Sequence, residues 1–216
     1  MTRVVESVTQ QVEAEFAKAM EKHVATVVLD SGLHRHIHCA EPGTFHRHFH
    51  VTTWPGYLAI TGDMGSFVFT RLQDMFQFFR SPDGRVNYGY WAEKLTATER
   101  HSGHEQFSEE RFRRYIEETL AEWLADNLMQ DQEAEVREAV RDEVLSRTDD
   151  GMQRAVEAAM AFEFEGEHPF GEAWDNHFTE ESYYFAWCCH AIVWAIQQYD
   201  AITAATPAEP LAGAAS

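Results

Sequence analysis

Basic residues and cysteines are scarce in this sequence of 216 residues. Only 17 Lys and Arg stand against 36 Asp and Glu, so the formal net charge is -19 at pH 7. Phosphate binding depends on Lys and Arg, and the charge therefore argues against nucleic acid or an anionic membrane as a direct partner. A basic partner or a cation fits better. The three cysteines, of which Cys188 and Cys189 are adjacent, do not form the even, spaced set of a disulfide-stabilised secreted domain.

Long apolar runs are also missing. The longest, YYFAWCCHAIVWAI at 183–196, is shorter than the roughly 18 residues that a membrane span needs, and it contains His190. We predict a buried central helix here, in which Cys188, Cys189 and His190 belong to the core and do not react. The first residues are interrupted by charges and lack the apolar segment of a signal peptide, so we expect a protein of the reducing cytoplasm.

Apolar residues, in contrast, are plentiful, at 44% of the chain with 15 Phe, and are sufficient for a large core. Their periodicity predicts one α+β domain over residues 1–204. An N-terminal helix occupies 1–29, and a four-stranded antiparallel meander over 33–72 packs against a mostly helical half at 107–204. The run VATVVL within 24–29 fits either a last helical turn or a strand. The tail at 205–216 has no periodicity and is expected to be disordered.

Six histidines form two alternating triplets in HRHIHCAEPGTFHRHFH, residues 34–50. Alternate residues of a strand share a face, so each triplet lies on one face of its strand. A five-residue loop at 40–44 sets the register and predicts the cross-strand pairs His38/His46, His36/His48 and His34/His50. The opposite face then points to the core with Ile37, Phe45, Phe49 and Val51, although Arg35 and Arg47 share it.

Two interpretations of the histidine face remain open. It is either the solvated side of a half-buried sheet or a metal site with His36, His48 and His50 as ligands, since opposed imidazoles can hold one zinc ion. The second interpretation implies a metal-dependent phosphoester hydrolase or a nucleotide-binding protein. No other catalytic motif is present: there is no Gly-x-Ser-x-Gly elbow, and TGDMGS at 61–66 fits a hairpin turn better than a phosphate loop.

Two blocks carry a resemblance to a known group of proteins. WPGYLAITGDMGSFVFTR at 54–71 and WAIQQYDA at 194–201 resemble a family of uncharacterised hypothetical proteins of tailed phages and prophages. The resemblance implies a phage origin and a role inside the infected bacterium. It transfers no catalytic residue.

The first functional hypothesis is therefore a non-enzymatic, phage-encoded interaction protein that acts in the host cytoplasm without a cofactor. Its acidic helical surface, with 109–143 as the main segment, binds a basic or nucleic-acid-binding protein of host or phage, such as a defence factor. It contacts neither nucleic acid nor membrane directly. The alternative is the zinc-dependent or nucleotide-binding protein that uses the histidine face.

Overall fold

The computed structural model describes residues 7–80, 85–100, 103–127 and 132–205, which form two compact units. The first, the sheet unit, comprises the described residues of Met1–His104 and Glu181–Ser216; the second, the helical unit, is Glu105–Glu180. The periodicity of the sequence predicts one domain over 1–204. Of the expected disordered tail at 205–216, Ala205 is the last residue of a helix, and the rest lies outside the described residues.

The sheet unit combines a six-stranded sheet with four helices. Its elements in chain order are α1 (Val8–Met20), β1 (Val24–Ser31), β2 (His34–Ala40), β3 (Phe49–Trp54), β4 (Tyr57–Gly62), β5 (Gly65–Thr70), α2 (Met75–Phe79), α3 (Tyr88–Ala92), β6 (Leu95–Ala97) and, after the helical unit, α7 (Tyr183–Ala205). The strands lie in the order β1-β2-β3-β4-β5-β6, and all neighbours are antiparallel.

The α+β class and the antiparallel meander are confirmed, but the prediction of four strands is wrong. One additional strand is β1, where β-branched residues at 24–29 and a tight turn through Gly32, with φ 63°, pair this segment with β2 instead of extending the N-terminal helix. The other is β6, which has three residues and is too short to show an alternating pattern in the sequence. The helix α1 ends at Met20 because the chain must turn back into this sheet.

The core of the sheet unit lies between one face of the sheet and the helices α1, α2 and α7. Ser7 caps α1 in a reciprocal capping box with Gln10, and Val12, Phe16 and Met20 point inward at helical spacing. The central helix α7 is buried along Phe185–Ile196, as predicted, and Cys188 and Cys189 lie inside it. Within the described residues, no helix is both long and apolar enough to cross a bilayer.

The helical unit has its own core. Its elements are β7 (Glu105–Phe107), α4 (Glu109–Asp126), α5 (Glu133–Glu143), a 3₁₀ helix (Leu145–Asp150), α6 (Met152–Ala161), a second 3₁₀ helix (Ala173–Asp175) and β8 (Thr179–Glu181). The predicted apolar stripe of α4 is buried at Phe112, Ile116, Leu120 and Leu124. The strands were expected almost wholly within 33–72, and the two-stranded sheet of β7 and β8 lies outside that range, as β1 and β6 do.

Candidate functional site

The second histidine triplet does not lie in a strand, contrary to the prediction. β3 begins at Phe49, so the connection from β2 spans eight residues, 41–48, where five were expected. The observed pairs are His38 with His50 and His36 with Thr52, and the predicted pairs His38/His46, His36/His48 and His34/His50 are wrong. Phe45, expected in the core, is 85% exposed.

The longer connection is held by contacts that the local sequence does not reveal. Arg47 has a left-handed backbone with φ 55°, and its N–H donates to the Oδ2 of Asp63 in the turn after β4, at 2.9 Å. The N–H of Asp63 donates in return to the carbonyl of His48, at 3.0 Å. The register therefore moves by four residues relative to the prediction. Because this number is even, His50 keeps the face expected for it, together with His36 and His38.

Three imidazoles meet on this face. The Nε2 of His36 and the Nδ1 of His50 lie 2.9 Å apart in a hydrogen bond, and the ring of His38 stacks on that of His50 with centroids 4.5 Å apart. His48 approaches His50 edge-on from the connection, at 6.1 Å, and its Nδ1 donates to the carbonyl of Phe45, at 2.7 Å. Burial and then the charges of His38, His36 and His48 lower the pKa of His50.

This geometry defines what the cluster can do chemically. Only one proton fits between the Nε2 of His36 and the Nδ1 of His50, so one ring donates and the other accepts. Of the predicted ligands, the structure brings His36 and His50 into direct contact, while the Nδ1 of His48 is used by a carbonyl. In the described part of the chain, no group of three or more His, Cys, Asp or Glu side chains converges to hold a metal ion. The metal site stays a prediction.

The face that carries the histidines, called here the outer sheet face, is half-exposed and carries no Asp, Glu, Lys or Arg along β2 to β5. The strand registers place on it, along β2 to β5, the residues His34, His36, His38, Ala40, His50, Thr52, Trp54, Tyr57, Ala59, Thr61, Ser66, Val68 and Thr70. None of these is acidic, although the chain has 36 Asp and Glu. At the hairpin of β3 and β4, the rings of Trp54 and Tyr57 stack at 5.3 Å.

A cleft of about 480 Å³ lies beside the end of α1. Lys18, Lys22 and Arg47 line it together with three glutamates, so its charges balance. His23 at its wall is buried; its Nε2 donates to the carbonyl of Arg47, at 3.2 Å, and its Nδ1 has no hydrogen-bond partner among the described residues. Sequence reasoning missed this cleft, because its residues come from the end of a helix and from the connection whose length was mispredicted.

The thiols and the histidine of α7 are poorly suited to catalysis. Burial raises the pKa of Cys39 to about 12 and raises the pKa of Cys188 and Cys189 as well, whereas the reactive form of cysteine is the thiolate. The Nε2 of His190 and the hydroxyl of Tyr88 share a hydrogen bond of 2.7 Å, and burial lowers the pKa of His190. The three thiols are buried in the core, and His190 is partly buried beside them.

The helical unit carries most of the negative charge. Glu105–Glu180 contains 22 of the 36 acidic residues, against seven arginines and no lysine. The acidic residues that the structure describes between Glu105 and Asp175 are all exposed. Five of the seven arginines form ion pairs within the unit, namely Arg113–Glu109, Arg137–Glu133, Arg141–Glu138, Arg147–Asp150 and Arg154–Glu157.

Comparisons with known proteins add no relative to this picture. No protein-family model, no curated protein and no solved structure matches the chain.

Proposed function

We propose that this protein is a non-enzymatic binding protein that uses its helical unit to bind a basic, nucleic-acid-handling protein. The observation that carries the proposal is the separation of charge along the chain. The helical unit has a formal charge of -15, from 22 acidic residues and seven arginines, whereas the rest of the chain accounts for only -4. A surface of this kind attracts basic proteins and repels nucleic acid.

The helical unit has more acidic residues than its ion pairs with arginine use. Surface ion pairs of the arginines contribute little to stability and leave at least two carboxylates free for each arginine. Like charges at this density also oppose folding, so a function in binding explains their presence better than stability does. A partner whose own site binds DNA or RNA phosphates has the complementary charge, and occupation of that site by carboxylates blocks it.

The setting of this activity rests on the sequence resemblance. The blocks at 54–71 and 194–201 resemble hypothetical proteins of tailed phages. We therefore place the protein in the cytoplasm of an infected bacterium, where a host defence or replication factor is the partner that a phage protein gains most by blocking.

Charge-neutralising variants of the full chain test the proposal. The protein is immobilised, exposed to bacterial lysate, and washed with double-stranded DNA as the competitor. We expect it to retain basic nucleic-acid-binding proteins that DNA displaces, and the triple variant Glu117→Gln, Glu118→Gln and Glu122→Gln in α4 should lose most of this binding. The matched control Glu13→Gln, Glu21→Gln and Glu93→Gln removes the same charge from exposed positions of the sheet unit and should retain it. Equal loss in both variants, or retention that DNA does not compete with, contradicts the proposal.

A second candidate function uses the histidine cluster. The contact of His36 with His50 at 2.9 Å supplies two nitrogens from neighbouring strands, and a divalent cation that displaces the shared proton would serve a phosphoester hydrolase or a nucleotide-binding protein. Zinc titration of protein purified without an affinity tag tests this function. Stoichiometric binding that His36→Ala abolishes and His34→Ala retains would favour it, and absence of zinc binding would rule it out.

A further inference from the structure

The strand β1 forms one edge of the six-stranded sheet. Within the described residues it pairs only with β2, so one row of its backbone N–H and C=O groups faces outward along eight residues. Natural proteins block such edges with lysine, proline, inward-pointing charges or β-bulges, because an open edge is a template for another strand. Between Val24 and Leu29, β1 has no lysine, proline or charged residue, and the bulge at Val28 is the one protective feature in its pairing with β2.

The side chains along this edge are apolar and accessible. Val24, Val28 and Leu29 are 54%, 56% and 49% exposed, and they stand within six residues of one strand. Ile202 of α7, one turn after the Tyr199 that hydrogen-bonds Asp30 of β1, is exposed as well. Clustered apolar exposure beside unpaired backbone groups is typical of a surface that associates.

We propose that β1 pairs antiparallel with β1 of a second copy of this chain, which joins the two sheets into one of twelve strands. An antiparallel pair of identical strands has twofold symmetry, as most homodimers do. With Thr26 on the axis, Val24 of each copy lies opposite Val28 of the other. The apolar positions therefore match themselves across the axis.

This pairing does not depend on the function proposed for the helical unit. If both hold, the dimer increases the number of acidic units that one assembly presents. A dimer presents two acidic units in one assembly. It therefore binds with avidity to a partner that has two basic sites, or to two basic partners that are held together on one filament. It also joins two outer sheet faces, with their histidines, into one continuous surface.

Sedimentation of the full chain and of two matched variants tests the dimer. The wild-type protein should have twice the monomer mass of 24.8 kDa. Leu29→Lys adds a charge to the edge and should halve the mass to that of a monomer, whereas Leu72→Lys, at an exposed leucine outside the strands, should leave the dimer intact. Circular dichroism and the Tm of each variant show whether it is folded. A monomeric wild type, or a dimer that folded Leu29→Lys leaves unchanged, overturns the proposal.

A cross-link tests the register. Directly opposed Cα atoms of antiparallel strands lie about 4.5–5.5 Å apart, which is within disulfide range. Thr26→Cys should therefore form a covalent dimer on mild oxidation, since the native cysteines are buried. Thr61→Cys, an exposed threonine in β4, serves as the control and should cross-link far more slowly. Equal rates for the two variants would exclude the register through Thr26.

Discussion

Trp187 is the largest side chain that the sheet unit encloses. It is 1% exposed and meets the rings of Phe16 and Phe49 edge-on, at 5.4 and 5.5 Å, so it links α1, β3 and α7. Its Nε1 has no hydrogen-bond partner among the described residues. The ring therefore stabilises the fold through packing. Its buried N–H, which lacks a partner among the described residues, reduces that stabilisation.

We predict that Trp187→Ala lowers the free energy of unfolding by about 3–5 kcal/mol, the usual cost of deleting a buried aromatic ring. Urea denaturation followed by circular dichroism measures it. Trp174→Ala, at a tryptophan that is 63% exposed, should change the same quantity by less than about 0.5 kcal/mol. A similar loss in both variants would show that the burial of Trp187 does not determine its contribution.

The pair Arg35–Asp74 is the buried ion pair of the sheet unit. The two side chains are joined at 2.8 Å, Asp74 caps α2 by accepting from the N–H of Phe76, and the guanidinium of Arg35 lies over the Phe76 ring. Burial raises the pKa of Asp74, but the hydrogen bonds and charge of Arg35 outweigh it, and the net shift is downward. Arg35 lies on the face of β2 that was predicted to be apolar, and its ion pair with Asp74 connects β2 to α2.

We predict that Asp74→Asn destabilises the protein by about 2–4 kcal/mol at neutral pH, because it leaves the buried Arg35 without a counter-charge. Since the pKa of Asp74 is lowered by folding, its contribution is complete above the unfolded value of about 3.9 and is lost as the pH falls through the folded value. The difference in unfolding free energy between wild type and variant should therefore shrink below about pH 4. A difference independent of pH would contradict the assignment.

At the scale of elements, alternation in the sequence predicted β2 to β5 and the shared face of His36, His38 and His50. Period-two patterns determine which face a residue occupies, whatever its partner. The pairing partner depends on turn length, and the turn at 41–48 is held by Asp63, sixteen residues beyond Arg47. A contact between distant segments produces no pattern in the local sequence, so the length of this connection could not be predicted. For the same reason His48 was assigned to a strand, although it lies in the connection before β3.

We predict that His50 protonates below the ordinary histidine value of about 6.5 in an NMR pH titration. Burial and the neighbouring His38, His36 and His48 lower its pKa, so its stabilising contribution is complete above about pH 6.5 and is lost as the pH falls through the folded value. His38→Gln removes one neighbouring charge and should move the midpoint upward. A midpoint of His50 at or above the ordinary value would contradict the cluster.

At the scale of the whole molecule, the chain divides its charge unequally between two units with separate cores. The arginines of the helical unit are used largely in ion pairs one turn apart along its helices. Repulsion among the remaining carboxylates opposes the folding of this unit, and salt screens that repulsion within about 10 Å at 0.1 M.

We predict that added sodium chloride raises the Tm of the helical unit more than that of the sheet unit. Hydrogen exchange measured by mass spectrometry reports the two units separately, through peptides from α4 and from α7. Screening should slow exchange in α4 with increasing salt and change exchange in α7 much less. Equal responses would show that self-repulsion is not concentrated in Glu105–Glu180.

The absence of lysine from the helical unit determines how the protein can be modified and handled. The three lysines of the chain are Lys18, Lys22 and Lys94, and each belongs to the sheet unit. Enzymes that acetylate or tag proteins at lysine ε-amines thus have no target on the acidic helices, whose charge such reactions cannot alter. For the same reason, dyes and resins that react with lysine will attach to the sheet unit and leave the acidic surface chemically intact.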